Sequence, residues 1–174
     1  MLEFLTWSYW TEGGAGGLHF GAALFCLVLG PYIFMRRKGD KSHRILGTVW
    51  AIVMLGVNIS ALSMYGISGR PTLFHFFALM SLAALIPGYA MIWRYKFTRK
   101  RGHLIAHQMY MVWAYFGLAS AGLWQVGLRV LINIAGVDAY GIGLVLFGFI
   151  TFATAAVLNT HMTRRLGAIS KSEA

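Results

Sequence analysis

GGAGGLHFGAALFCLVLGPYIFM, residues 13–35, runs without a formal charge into RRKGDKSHR, residues 36–44, and this junction decides the fold class. A helix rising about 1.5 Å per residue needs roughly 20 apolar residues to cross the ~30 Å hydrocarbon core of a bilayer. The first stretch meets that length, and the basic cluster after it is the signal that stops a span at the cytoplasmic face. Four further stretches read the same way, near 45–67, 71–93, 104–132 and 138–160. Pro71 falls in the first turn of the third, where a missing N–H is harmless, and the Ala135-Gly136-Val137 turn parts the fourth from the fifth. The expectation is an all-α integral membrane protein of five transmembrane helices, the first four forming an antiparallel four-helix bundle. Residues 1–12 are left as an outer interfacial segment and 161–174 as a cytoplasmic tail.

Composition agrees with that class. Of the 174 residues 58% are hydrophobic and only 11% charged, against about a quarter charged in ordinary soluble domains. The formal net charge of +10 invites a nucleic-acid reading, but the placement of the charge argues against one. Arg36, Arg37, Lys38, Lys41 and Arg44 follow segment one; Arg94, Lys96, Arg99, Lys100 and Arg101 follow segment three; Arg164, Arg165 and Lys171 follow segment five. In a five-span topology these all fall on one side, which the positive-inside rule makes cytoplasmic. The N-terminus is then outside and the C-terminus inside, as in a multi-pass protein of the bacterial inner membrane. Met1 to Glu12 lacks the basic start of a cleavable signal, and its Trp7, Tyr9 and Trp10 suit the outer interface.

Six histidines are the chemical content of the chain, and four stand near the ends of successive segments. His19 and His75 fall roughly 6–9 Å below the outer boundary, counting about 1.5 Å per residue. His43 and His107 fall toward the inner boundary. An ionisable residue within a span is expensive and marks function by default. Two layers of imidazole, on diagonal helices one with three and two with four, are what axial ligation of two haems requires. His103 and His161 read as interfacial residues. His103 also stands one turn before His107, so the two could chelate a metal ion from one helix face, and His103 competes with His43 as the inner ligand.

The surroundings permit this without requiring it. From His19 a small-residue face runs through Ala15, Ala22, Cys26 and Gly30, and from His107 through Tyr110, Ala114, Gly117 and Ala121. Such faces are also the usual means by which membrane helices approach one another. The lone Cys26 can form no intrachain disulfide, and no Cys-x-x-Cys-His occurs, so any haem is b-type and non-covalently held. No carboxylate lies deep in a span, which disfavours proton-coupled transport, di-iron chemistry and intramembrane metallohydrolysis. On the outer side Arg70 and Arg129 are placed to meet haem propionates or to snorkel.

His43-Arg44-Ile45-Leu46-Gly47, about 24 residues after His19 and followed by His75 and then His107-Gln108-x-x-Met111, resembles the bacterial predicted-membrane-protein family called domain of unknown function 2306, over roughly residues 15–133. That family looks similar in layout to two-haem transmembrane cytochromes of the b-561 type. The resemblance implies His19 with His75 for an outer haem and His43 with His107 for an inner one. The chain departs from the family's His-Arg-x-Trp-Met-x-Arg at Gln108, Tyr110 and Trp113.

The resulting expectation is a membrane cytochrome binding two bis-histidine haems b and passing electrons across the membrane; if enzymatic, it is a transmembrane electron-transfer oxidoreductase. The partners open to it are the lipid bilayer, a quinone, another membrane or periplasmic redox protein and a second copy of itself, with nucleic acid set aside. The competing readings are a single haem or metal at one level, or a non-redox subunit, assembly factor or small transporter with a histidine metal site.

Overall fold

The computed structural model describes residues 15–63, 72–136 and 139–170. Every regular element among them is helical: α1 Ala15–Met35, α2 Lys41–Ser63, α3 Leu73–Thr98, α4 Arg101–Gly122, a π turn Leu123–Gly127, α5 Leu128–Ala135 and α6 Ala139–Ser170. Three of these are long and apolar enough to cross a membrane: Gly16–Met35, Lys41–Ser63 and Leu73–Thr98. In α4 the first two turns are crowded by Arg101, His103, His107 and Gln108, and the apolar part of α6 is the shorter stretch Val145–Leu158.

The connections at the basic end are short and chemically specified. Gly39 takes φ +82° in the turn after α1, and Asp40 caps α2, its side chain accepting the His43 N–H at 2.5 Å. The cap starts α2 at Lys41, four residues before the apolar run from residue 45 suggests. Arg99, left-handed at φ 56°, ends α3 by donating its N–H to the Tyr95 carbonyl at 2.9 Å, and α4 resumes at Arg101. Arg94 and Lys96 therefore lie inside the helix rather than beyond it. Lys96 rests 5.1 Å from the Trp93 ring, Arg99 5.9 Å from Tyr95 and Arg36 5.3 Å from Tyr32, which lets the cations keep their charged ends at the interface.

The helices pack in sequence order, α1 on α2, α2 on α3 and α3 on α4, and α4 returns to α1. The α3–α4 seam is the most extensive because small residues line it. A Cβ placed on Gly117 would come within 2.9 Å of the Phe77 carbonyl oxygen and 3.0 Å of the Ser81 Cβ, so the backbones approach as only glycine allows. The core is shared by all four helices through Cys26, Ile33, Trp50, Met54, Ala84, Leu85, Met111, Ala114 and Leu118. The small faces of segments one and four are thus filled by protein: Gly30 receives the Tyr115 ring, and Gly117 receives α3.

Buried polar groups tie the seams together. Asn58 donates to Ser81 Oγ at 3.0 Å and to the Met54 carbonyl at 2.8 Å, and Ser81 donates to the Ala114 carbonyl at 3.1 Å, linking α2, α3 and α4. Trp50 Nε1 donates to the Cys26 carbonyl at 3.0 Å, joining α2 to α1. Pro31 interrupts α1, and having no N–H it leaves the carbonyl four residues back, that of Leu27, without its helical donor. The Tyr115 hydroxyl of α4 supplies that donor at 3.1 Å. Phe34 packs edge-on against both Tyr115 and Trp50, with ring centroids 5.5 and 6.4 Å apart.

The continuous helix expected over 104–132 contains a fault at Leu123–Gly127, where the backbone takes a π turn. Trp124 is buried there, its Nε1 donating to Thr151 of α6 at 3.1 Å, and Gly127 faces the Phe147 ring. The extra residue per turn aims the indole at α6 and fastens the last helix to the others.

The Pro31–Leu27–Tyr115 arrangement predicts a specific coupling. Tyr115→Phe should destabilise the detergent-solubilised protein by about 1–3 kcal/mol, the range for stranding a buried acceptor. In a Pro31→Ala background, where residue 31 regains an N–H, the same change should have a much smaller effect. Additive losses in thermal unfolding would show that Tyr115 does not serve the Leu27 carbonyl.

Candidate functional site

The four histidines of the two expected layers occupy four different environments, and the partner of each ring nitrogen decides what the other nitrogen can do. His107 stands in the second turn of α4, and its Nδ1 lies 2.8 Å from the Gly88 carbonyl oxygen of α3. A carbonyl only accepts, so Nδ1 carries the proton, and in the neutral ring Nε2 holds the lone pair. That backbone contact also fixes the ring plane, as a second-shell acceptor does for ligating histidines.

His43 is the third residue of α2, placed by the Asp40 cap. Its Nδ1 is buried with no hydrogen-bond partner. The two imidazoles are close enough for a charge on His43 to be felt at His107. His43 and His107 thus stand in the early turns of α2 and α4, on helices that contact each other little along their backbones. Trp50 and Tyr115 lie seven and eight residues further along α2 and α4, about two helical turns away, where both pack against Phe34. His103 sits in the first turn of α4, its backbone N–H bonded to the Lys100 carbonyl at 3.1 Å. Among the described residues no group of three histidine, cysteine or acidic side chains is assembled as a chelating site.

At the other end the hydrogen bonds of the two histidines lead in different directions. His19 Nδ1 lies 2.7 Å from Ser60 Oγ of α2. His75 is buried, 6% exposed, and serves its own helix: α3 begins at Leu73 behind the N-cap Thr72, whose N–H donates to His75 Nδ1 at 3.0 Å. The Thr72 hydroxyl lies 3.0 Å from the same nitrogen. His75 thus fills, at the third position of the helix, the role that Glu or Gln plays in a capping box. Nδ1 is the acceptor, so the neutral ring carries its proton on Nε2, opposite to His107. Ligation through Nε2 would require the other tautomer and release of the cap.

Arg70 lies outside the described residues, and Arg129 is placed in α5 by its backbone alone, as is His161 in α6. Sequence reading missed Ser60, Thr72, Gly88 and Ser81, the partners that set the histidine and asparagine geometry. Thr72 was detectable as a Thr-x-x-His variant of the capping box; the Gly88 carbonyl was not, because a backbone acceptor has no sequence signal.

Comparison with known proteins adds one match. A family model described as a predicted membrane protein, domain of unknown function 2306, covers residues 16–163, from the start of α1 into the last turns of α6. Neither the curated proteins nor the solved structures contain a match. With nearly every described helix inside that match, the chain belongs to the domain of unknown function 2306 family of predicted membrane proteins.

Proposed function

We propose that this protein is a multi-pass b-type cytochrome of the bacterial inner membrane, with haem held between His43 of α2 and His107 of α4 near the basic, cytoplasmic end. The observations that support the reading are the Gly88 carbonyl that orients the His107 ring and the buried His43 nitrogen that has no hydrogen-bond partner. Two neutral imidazoles are the donor set of a six-coordinate haem, which when bound would supply a one-electron couple suited to electron transfer. A chelated metal ion would call for a third protein ligand.

In this reading α1 to α4 form an antiparallel four-helix bundle, supported by the closed order of contacts from α1 round to α4 and back. The segments containing α4 and α6 complete five spans, and the one-sided basic residues put the C-terminus in the cytoplasm. The Asp40 cap fixes the start of α2 two residues before His43, and the short turn at Arg99 fixes the start of α4 six residues before His107. The buried aromatics below them exclude water from that end. Exposed Arg44, beside His43, is available to a propionate.

The outer layer of His19 and His75 carries less of the reading. A second haem there would need both rings to turn to one iron and would leave the start of α3 uncapped.

Purified protein from haem-replete cells should give a reduced-minus-oxidised spectrum of low-spin b-type haem, with about one haem per chain by pyridine haemochrome. A colourless preparation would remove the proposal, and two per chain would restore the outer pair. His43→Ala and His107→Ala should each abolish the spectrum while His103→Ala leaves it. His75→Gln keeps a capping side chain but not an imidazole, so it should retain both haem and thermal stability. His75→Ala should keep haem and lose about 0.5–2 kcal/mol, the usual scale of a lost helix cap. Haem loss in His75→Gln would make His75 a ligand.

A further inference from the structure

Away from the His43–His107 pair, α1 and α2 separate beyond the Cys26–Trp50 contact and leave a cleft of about 400 Å³ between them. Leu18, His19 and Ala22 of α1 form one wall, and Val53, Gly56 and Ser60 of α2 form the other. The cleft exists because these facing positions are small. Gly56 is exposed at the mouth, where a Cβ would meet nothing within 4 Å, and buried Val57 lies beneath it. Leu18, at the rim, is 78% exposed, so the cleft opens sideways, onto acyl chains if α1 spans the membrane.

Its polar content is one imidazole and one hydroxyl. The Ser60 hydroxyl donates to the Val57 carbonyl at 3.0 Å, which commits its single proton. With the Ser60 proton on the Val57 carbonyl, Ser60 Oγ accepts from His19 Nδ1 at 2.7 Å. In the neutral ring Nε2 is then an acceptor awaiting an O–H or N–H. Among the described residues no Lys, Arg, Asp or Glu lines the cleft, so a phosphate or carboxylate head would find no counter-charge in these walls. The chemistry selects a neutral, lipid-soluble molecule that presents a hydroxyl. A flat ring suits an apolar slot between two helices, and a phenolic hydroxyl, acidic near pKa ~10, is a stronger donor to imidazole than an aliphatic alcohol.

We infer that the α1–α2 cleft binds the head of a hydroquinone from the lipid phase, a ring hydroxyl donating to His19 and the tail leaving past Leu18. This occupant rests on the haem reading only for its physiological sense, as a source of electrons; binding at the cleft stands apart from haem.

The test is anaerobic calorimetry of the whole protein in detergent with decylubiquinol, its dimethyl ether and farnesol. Decylubiquinol should bind, and the ether, which has no hydroxyl to donate, should bind about tenfold or more weakly, as should decylubiquinol to His19→Phe. Gly56→Leu should fill the cleft and abolish binding without loss of thermal stability. Gly47→Leu, also in open space on α2 but outside the cleft, should bind as the parent does. Equal binding of quinol and ether, or binding unchanged in Gly56→Leu, overturns the site. Farnesol binding as tightly as the quinol overturns the hydroquinone in favour of any lipid alcohol. Haem content is read on the same samples, so quinol binding lost with haem retained, and the reverse, separate the two proposals.

Discussion

Everything in this chain hangs on the satisfaction of backbone and side-chain polar groups where water is scarce. A carbonyl released by a proline in an apolar helix has no solvent to turn to, and each such group left unpaired costs several kcal/mol in a hydrocarbon setting. Pro31 creates one at Leu27, and the Tyr115 hydroxyl answers it from α4. That one bond fixes the rotation of α4 about its own axis relative to α1. With Asn58 and Ser81 relaying from α2 through α3 to the Ala114 carbonyl, the faces of α4 are assigned on both sides. Apolar packing alone is nearly isotropic between lipid-like side chains, so the polar contacts supply the register and the small residues supply the closeness.

Once α4 is oriented, the place of His107 follows. It lies two turns from Tyr115 on the same helix, and the close α3–α4 seam puts the Gly88 carbonyl within reach of its ring. A larger residue at 88 would meet Met111 and Tyr110, since its Cβ would fall 2.8 Å from the Tyr110 Cβ. Gly88 thus has two consequences at once, a close helix approach and an accessible acceptor. His43 arrives by a separate route, through Asp40 and the turn at Gly39.

Much of this was readable from the residues, and the limit falls along a physical line. The apolar runs announce helices because a 3.6-residue turn and a length near 20 leave little alternative. The stripe Tyr110, Ala114, Gly117, Ala121 announces a packing face, and α3 occupies it. What the face packs against was not legible, since a small-residue stripe serves a helix or a cofactor equally well. Helix ends were misjudged where hydropathy was weighed above capping: Asp40 starts α2 early and Arg99 ends α3 late. The π turn had no signal of its own; it reflects Trp124 reaching Thr151 of a helix distant in sequence. Of the site, the spacing of the histidines drew attention to His19, His43, His75 and His107, whereas the capping use of His75 was hidden behind an expectation of ligation.

Four histidines that look equivalent in sequence are separated by single hydrogen bonds. A carbonyl at His107 forces its proton to Nδ1 and bares Nε2; a backbone N–H at His75 does the reverse; a serine whose own proton is committed acts on His19 as the carbonyl acts on His107. The imidazole is the same in each, and depth in the membrane differs little within each layer. Ligation needs a bare nitrogen, and helix capping needs one that already accepts. The partners around the rings, rather than the spacing of the histidines, therefore set His75 apart as a cap and leave Nε2 of His107 and of His19 open, each to the site in which its helix places it.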